Sequence, residues 1–436
     1  MIRTQSFPCS LPKDTADQLN RESGRIYTSV MVEHYRVFRH TGHWLSPHAG
    51  EKLNDFLSPT ILHAHSRDAA QQGFYKGCKT AKTNRGLEGS RYPHWRKRFR
   101  TTIWKNTGIR KQGTVLLLAL ARGHAPIRVS LPSPMMDLPG DAFLEMRLVW
   151  DRAGRRYHWH AVIEDGLTPA PPPGNHTAAI DLGEVHPAAA TDGEEGVVFS
   201  ARELRSISQY THKRLAEINS QLSKKARHSR RYQRIVARKT RFLAQQKRKR
   251  RDIEHKLSRC VVNWAIERSV GTLAIGDVRN VAKGVKKGKR TNQKISSWPH
   301  GKIKTYIEYK ALTAGIETLL VNEAYTSQTC PNCGHRHKPK GRQYRCPACG
   351  FDCHRDMAGA INILSRQVYG EVGRLLPPET KYRYPFLTGK RSRLDTAHVA
   401  RLKREAATLE GAQSVTFRAR FVRIRISRRR LWLTMH

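Results

Sequence analysis

Two pairs of cysteines constrain this chain more than any other feature. Cys330 and Cys333 are followed, after twelve residues, by Cys346 and Cys349, and the pairs sit in the related strings CPNCG and CPACG. Matching CxxC turns around a hairpin-like HRHKPKGRQYR set four thiolates tetrahedrally, the arrangement of a structural zinc ion. Paired CxxC motifs also serve redox chemistry, but two matching turns around one hairpin favour the metal. Four sulfurs close the coordination shell, so the expected ion is one structural Zn²⁺ with no position open for catalysis. Cys9, Cys78, Cys260 and Cys353 show no pairing logic, and this cysteine usage predicts a protein of the cell interior, not a secreted disulfide scaffold.

Charge identifies the class of partner. Lysine and arginine number 80 against 35 acidic residues, a net +45 in 436 residues, and self-repulsion on that scale calls for a polyanion, with nucleic acid as the obvious one. The longest strongly apolar run, Thr114 to Ala121, is cut off by Arg122 and is far short of the roughly 20 residues that span a bilayer. The opening MIRTQSFPCSLPKD offers no secretory signal.

Hydrophobic periodicity divides the chain. From Thr15 to about Leu62 the apolar spacing of Leu19, Ile26, Val30, Tyr35 and Phe38 is helical, and Glu51 to Gln72 continues it. Beyond that insert, TVLLLALAR, PIRVSLP and FLEMRLVWDRAGRRYHWHAVIED read as strands, the last with a turn at Asp151 to Arg155. Between them, Arg91 to Arg110 interleaves aromatics with cations. Such a stretch either stacks on bases while neutralising phosphates, with Arg96, Arg98, Arg100 and Trp104 as candidates, or is a basic loop whose Trp95 and Trp104 enter the core. The Pro-rich Thr168 to Gly174 then breaks the chain before a second domain.

That second part opens with three short strands in HTAAIDLGEVHPAAATDGEEGVVFS, Asp181 lying at the exit of the first. Residues 202–259 turn helical and carry 20 lysines and arginines against 4 acids, as suits helices laid along a nucleic-acid backbone; Lys247, Arg248, Lys249, Arg250 and Arg251 are its densest run. GTLAIGDVRNV reads as a buried strand, Ala282 to Trp298 as a mobile basic segment, IKTYIEYKALTAGI as a helix, and ETLLVNEAYTSQTC as a strand with Glu323 near its end. HRDMAGAINIL then starts a helix with Asp356 in its first turn, and the basic tail includes VTFRARFVRIRISRRR, which alternates like a half-exposed strand.

Antiparallel strands, a helical crossover, parallel strands and a closing helix outline an α/β fold of ribonuclease H type. Its chemistry needs clustered acids, because two Mg²⁺ ions about 4 Å apart must be held against their repulsion during phosphodiester hydrolysis. Asp181, Glu323 and Asp356 are the candidates to meet at one sheet edge.

AIDLG, LAIGDV, EAYTSQTCPNCG with CPACGF, and HRDMAGAINIL, in that order, resemble the RuvC-like nuclease domain of the transposon-encoded TnpB family and the related miniature type V CRISPR effectors. The likeness covers roughly residues 175–365, about 44% of the chain. It implies an RNA-guided DNA endonuclease with two catalytic Mg²⁺ ions, a guide RNA, and a double-stranded DNA target bearing a short flanking motif. The implied setting is the prokaryotic cell interior, cytoplasmic and nucleoid-associated. It also implies a division into an oligonucleotide-binding, β-barrel-like wedge (1–14 and 85–170), a helical recognition insert (15–84), a RuvC-like, RNase H-like nuclease domain (175–325 and 354–436) and a zinc ribbon (326–353).

Two positions depart from the family pattern. Gly276 stands where the family usually carries its second catalytic acid, and glycine has no side chain to bind magnesium. Glu323 is the preferred substitute; Asp277 is the lesser one, because neighbouring residues on a strand point to opposite faces. Ala358 stands where the family usually has Asn. Gly276 therefore leaves a second reading, an inactive RNA-guided DNA binder acting as a regulator or silencer, against which the three retained acids argue. A plain zinc-ribbon nucleic-acid binder leaves those acids unexplained. Tyr325 and Ser327 lack the partners of a nucleophilic transposase and read as turn residues.

Overall fold

Alternation of apolar and polar residues builds the first sheet. In the computed structural model, which describes residues 1–57, 59–86, 90–278 and 288–385, strand β1 (Ile2–Pro8) precedes three helices: α1 (Lys13–Thr41), α2 (Pro47–Leu57) and α3 (Ala64–Thr83). Short strands β2 (Thr102–Lys105), β3 (Ile109–Gln112), β4 (Val115–Leu118) and β5 (Ile127–Ser130) follow, and then the long hairpin β6 (Phe143–Asp151) and β7 (Arg156–Glu164). β1, β7, β6 and β2 pair antiparallel in that order, while β3, β4 and β5 form a second antiparallel sheet. The helices are thus inserted between two strands of one sheet. Buried polar groups dock them there: Asn20 of α1 donates to the Leu148 carbonyl (3.1 Å) and accepts from the Thr102 amide (3.0 Å), and Tyr157 donates to Asp17 (2.6 Å).

Trp104 and Trp159 meet edge to face in the core of this part, their centroids 5.8 Å apart. This corrects one expectation. Trp104 is fully buried and its indole N–H donates to the Ala119 carbonyl at 2.8 Å, because the alternation of β2 turns it inward; it is a core residue and not a stacking platform.

A further, larger sheet has six strands. β8 (His176–Asp181), β9 (Ala188–Thr191) and β10 (Gly196–Phe199) form an antiparallel meander, followed by α4 (Glu203–Ser223) and the 38-residue α5 (Arg230–Glu267). β11 (Val270–Gly276), α6 (Lys289–Ser297), α7 (His300–Thr313) and β12 (Glu317–Val321) come next. The small hairpin β13 (Gln343–Arg345) and β14 (Asp352–His354) leads into α8 (Arg355–Tyr369), and β15 (Thr380–Arg383) closes the order β12-β11-β8-β9-β10-β15. β11 runs parallel to both β8 and β12, and β15 parallel to β10. Lys289–Ser297 is helical where a mobile segment was expected; residues 279–287 and the tail strand expected from VTFRARFVRIRISRRR lie outside the described residues.

Side-chain size sets the depth of the site. Ala179, Ala189 and Ala274 face α8 and present little bulk, so α8 lies close against the strands through Met357, Ala360, Ile361 and Ile363. On the other face Phe199 packs against Trp264 of α5. The buried stretch of α5 runs from Ile253 to Ala265; apart from Gln246, residues 230–251 are half-buried or exposed and carry its basic side chains away from the core. Among the described residues no helix is long and apolar enough to cross a membrane.

Candidate active site

Strand alternation brings two acids to one edge, and a helix adds the third. Ala179, Ala274 and Val321 pack against α8, so the residues two further along, Asp181, Gly276 and Glu323, lie on the same side of the sheet. Asp356, in the first turn of α8, reaches that edge from above the sheet and is 9% exposed. Asp181 is pushed well above the usual carboxylate range by desolvation and then by the charges of Asp356 and Glu323. Glu323 is pushed up to about 7 by desolvation and by Asp277. Buried carboxylates clustered in this way fit divalent cations. Arg342, from the cysteine hairpin, lies 3.3 Å from both Asp356 oxygens.

Two glycines make room for this edge. A Cβ on Gly276 would fall 2.9 Å from Glu323 Oε2 and 2.9 Å from Ile363, so the Glu323 carboxylate occupies the space a side chain at 276 would need. A Cβ on Gly359 would fall 2.6 Å from Asp181 Oδ2. Sequence reasoning missed Gly359, since a glycine inside a helix carries no signal until the neighbouring strand is known. It missed Asn362 as well. This buried side chain donates to the carbonyls of Thr326 and Thr329, both at 2.8 Å, and accepts from the Gly373 amide, fixing the segment after Glu323 against α8. Ala358, where an Asn was expected, packs against Cys330, Tyr344 and Cys346. Tyr325, at φ 67° in the same segment, carries the Arg336 guanidinium 3.1 Å from its ring centroid, in keeping with a turn residue.

The four cysteines form a second centre, their ligand atoms all within 4.8 Å of one another. Cys330 and Cys349 sulfurs are 3.7 Å apart and Cys333 and Cys346 sulfurs 3.6 Å apart, close to the roughly 3.8 Å edge of a tetrahedron with 2.3 Å Zn–S bonds. The two turns repeat the same bonds: Gly334 N to Cys330 O and Gly350 N to Cys346 O, both 3.0 Å, with each glycine at φ 71°. The four sulfurs fit a zinc ribbon.

The expected nucleic-acid residues are dispersed. Arg96 and Arg98 are exposed, as is Trp95. Arg100 is drawn inward, its guanidinium 4.8 Å from the Tyr27 ring centroid. Lys247, Arg248, Lys249 and Arg251 are exposed on α5, whereas Arg250 is half-buried and donates to the Ser297 carbonyl at 3.3 Å. A cleft of about 530 Å³ between the β6–β7 turn and α5 is lined by Arg156, Arg238, Arg241, Arg248 and Phe242. It joins one residue of the predicted run to cations that sequence alone did not single out.

Two family models match the chain, one described as "Probable transposase" over residues 160–282 and one as "Cas12f1-like, TNB domain" over residues 300–363. A TnpB-like protein of Methanocaldococcus jannaschii is 28% identical over 47% of this chain and 73% of its own length. Together these matches make the chain similar to TnpB-like proteins and to miniature type V effectors. A second TnpB-like protein, from Acidianus two-tailed virus, is 28% identical over 48% of this chain and 46% of its own. The CRISPR-associated endodeoxyribonuclease Cas12f1 of Sulfoacidibacillus thermotolerans is 32% identical over 25% of each chain. In fold, this chain resembles the protein in a cryo-EM structure of a Cas12f1-sgRNA-target DNA complex, with a TM-score of 0.57 at 15% identity, over 81% of this chain and 83% of that one.

Proposed function

We propose that this chain is an RNA-guided DNA endonuclease that hydrolyses phosphodiester bonds at the edge formed by Asp181, Glu323 and Asp356. The observation that carries the reading is Glu323: its carboxylate fills the space left by Gly276, beside the two acids contributed by β8 and α8. The relatives' names and the fold likeness support the same class of activity. In this reading the six-stranded sheet with α8 is the RuvC-like domain, the sheets around β1–β7 are the wedge, α1–α3 are the recognition insert, and the cysteine hairpin is the zinc ribbon.

The chemistry follows from charge. Two Mg²⁺ ions held there would activate the attacking water and stabilise the leaving oxygen. Asp181, Glu323 and Asp356 are the residues that would hold the ions, and Arg342, 3.3 Å from the Asp356 oxygens, would have to yield its contact. Basic α5 grips guide RNA and heteroduplex backbone, while base pairing reads the target sequence and the protein reads a short flanking DNA motif. Cleavage decides the matter. RNA that copurifies with the protein is sequenced, retargeted, and supplied with Mg²⁺ and a plasmid library randomised beside the target. Wild type is expected to cut next to a defined motif and Glu323→Ala to bind without cutting; guided binding by wild type with no cutting would overturn the proposal.

A further inference from the structure

Next to the acidic edge lies a donor set that shares Asp356 with it and adds two histidines that the proposed hydrolysis does not use. His186, His354 and Asp356 each offer one ligand atom, and these three atoms lie within 4.8 Å of one another. His186 is 3% exposed, and its Nδ1 is buried without a hydrogen-bond partner. An unpartnered buried nitrogen is costly, and an ion would satisfy it. The two imidazole rings stand with centroids 5.6 Å apart, one from the β8–β9 connection and one from the residue that precedes α8. Two imidazoles and one carboxylate are the donors of borderline transition metals rather than of magnesium, and three protein ligands leave a coordination position open.

We infer that His186, His354 and Asp356 form a second metal site, separate from the cysteine ribbon, that binds a divalent ion of the zinc and cobalt class. Two contacts compete with the ion. Arg342 holds both Asp356 oxygens at 3.3 Å, but its side chain is 47% exposed and can swing away. His354 Nδ1 accepts from the Asp356 amide at 3.3 Å, and ligation ends that bond whichever nitrogen binds, since a neutral imidazole has one lone-pair nitrogen. The inference stands on these side chains and not on the nuclease reading, so its test reads metal and not cleavage.

The 436-residue chain, freed of loosely bound metal and titrated with Zn²⁺, is expected to hold two equivalents. Zinc X-ray absorption should show sulfur ligands for the first and nitrogen and oxygen ligands, with imidazole scattering, for the second. A Co²⁺ titration should correspondingly give one species with thiolate charge transfer and one without. His186→Gln should lower the second affinity at least tenfold, and Asp181→Asn should leave it in place. Arg342→Ala, a change at a half-exposed side chain, should tighten the second equivalent severalfold and keeps the test decisive if His186→Gln does not fold. A single equivalent in wild type, sulfur ligands on both ions, a second equivalent lost in Asp181→Asn but kept in folded His186→Gln, or no gain in Arg342→Ala would each overturn the inference.

Discussion

Removing the charge of Glu323 should make the magnesium-free protein more stable at high pH. Its carboxyl titrates at about 7 in the folded chain against 4.5 when unperturbed, because desolvation and Asp277 disfavour the anion. The folded state therefore binds more protons than the unfolded state between those values. This contribution is fully present below about pH 4.5 and is lost as pH rises through about 7. At roughly 1.4 kcal/mol per unit, the loss approaches ~3 kcal/mol for Glu323 alone, and Asp181, raised for related reasons, adds to it in the same direction. Glu323→Gln cannot ionise and escapes its share. Thermal melts in magnesium-free buffer with zinc retained, from about pH 5 to about pH 8, should show wild type losing a few degrees relative to Glu323→Gln across that window. Mg²⁺ added at the upper end should recover most of the loss in wild type and much less in the variant. Parallel melting profiles for the two proteins across the whole window would refute the reasoning.

Placing the acid back on β11 tests its relocation: in a Glu323→Ala background, Gly276→Glu should restore part of the guided cutting, measured as plasmid linearisation, because it returns a carboxylate to the space Glu323 fills. Neutralising Lys247, Arg248, Lys249 and Arg251 together should weaken RNA binding and flatten the log–log salt dependence by up to about 0.7–0.9 per lost phosphate contact, read from filter binding at several salt concentrations. Trp104→Ala should cost about 3–5 kcal/mol of stability in the N-terminal part, measured by chemical denaturation, while RNA affinity per folded molecule stays unchanged.

Much of the architecture is local enough to be legible. The hairpin β6–β7 follows from its alternation and turn, α1 from its apolar spacing, and the ribbon from a cysteine spacing that has few other physical solutions. The acids could be named as candidates because Asp181 ends β8, Glu323 lies two residues past β12 and Asp356 sits in the first turn of α8. Arg96, Arg100 and Trp104 were less separable, since a run of alternating cations and aromatics has the same composition whether its rings face bases or a core; the register of β2 against β6 decides that Trp104 goes inward. β15 escaped notice because a four-residue strand, Thr380–Arg383, becomes a strand only when β10 offers it an edge.

The sequence by itself determined the net charge of +45, the paired CxxC turns and the three candidate acids, because charge, thiolate spacing and carboxylate positions are properties of short stretches of chain. Only the tertiary structure decided that Glu323 occupies the space Gly276 leaves, that Gly359 admits Asp181, and that His186 meets His354 and Asp356. Those relations join residues 47, 178 and 168 positions apart along the chain, in the order Gly276 to Glu323, Asp181 to Gly359, and His186 to His354. Distances of that kind are set by the packing of α8 on alanine-rich strands, which no stretch of sequence contains.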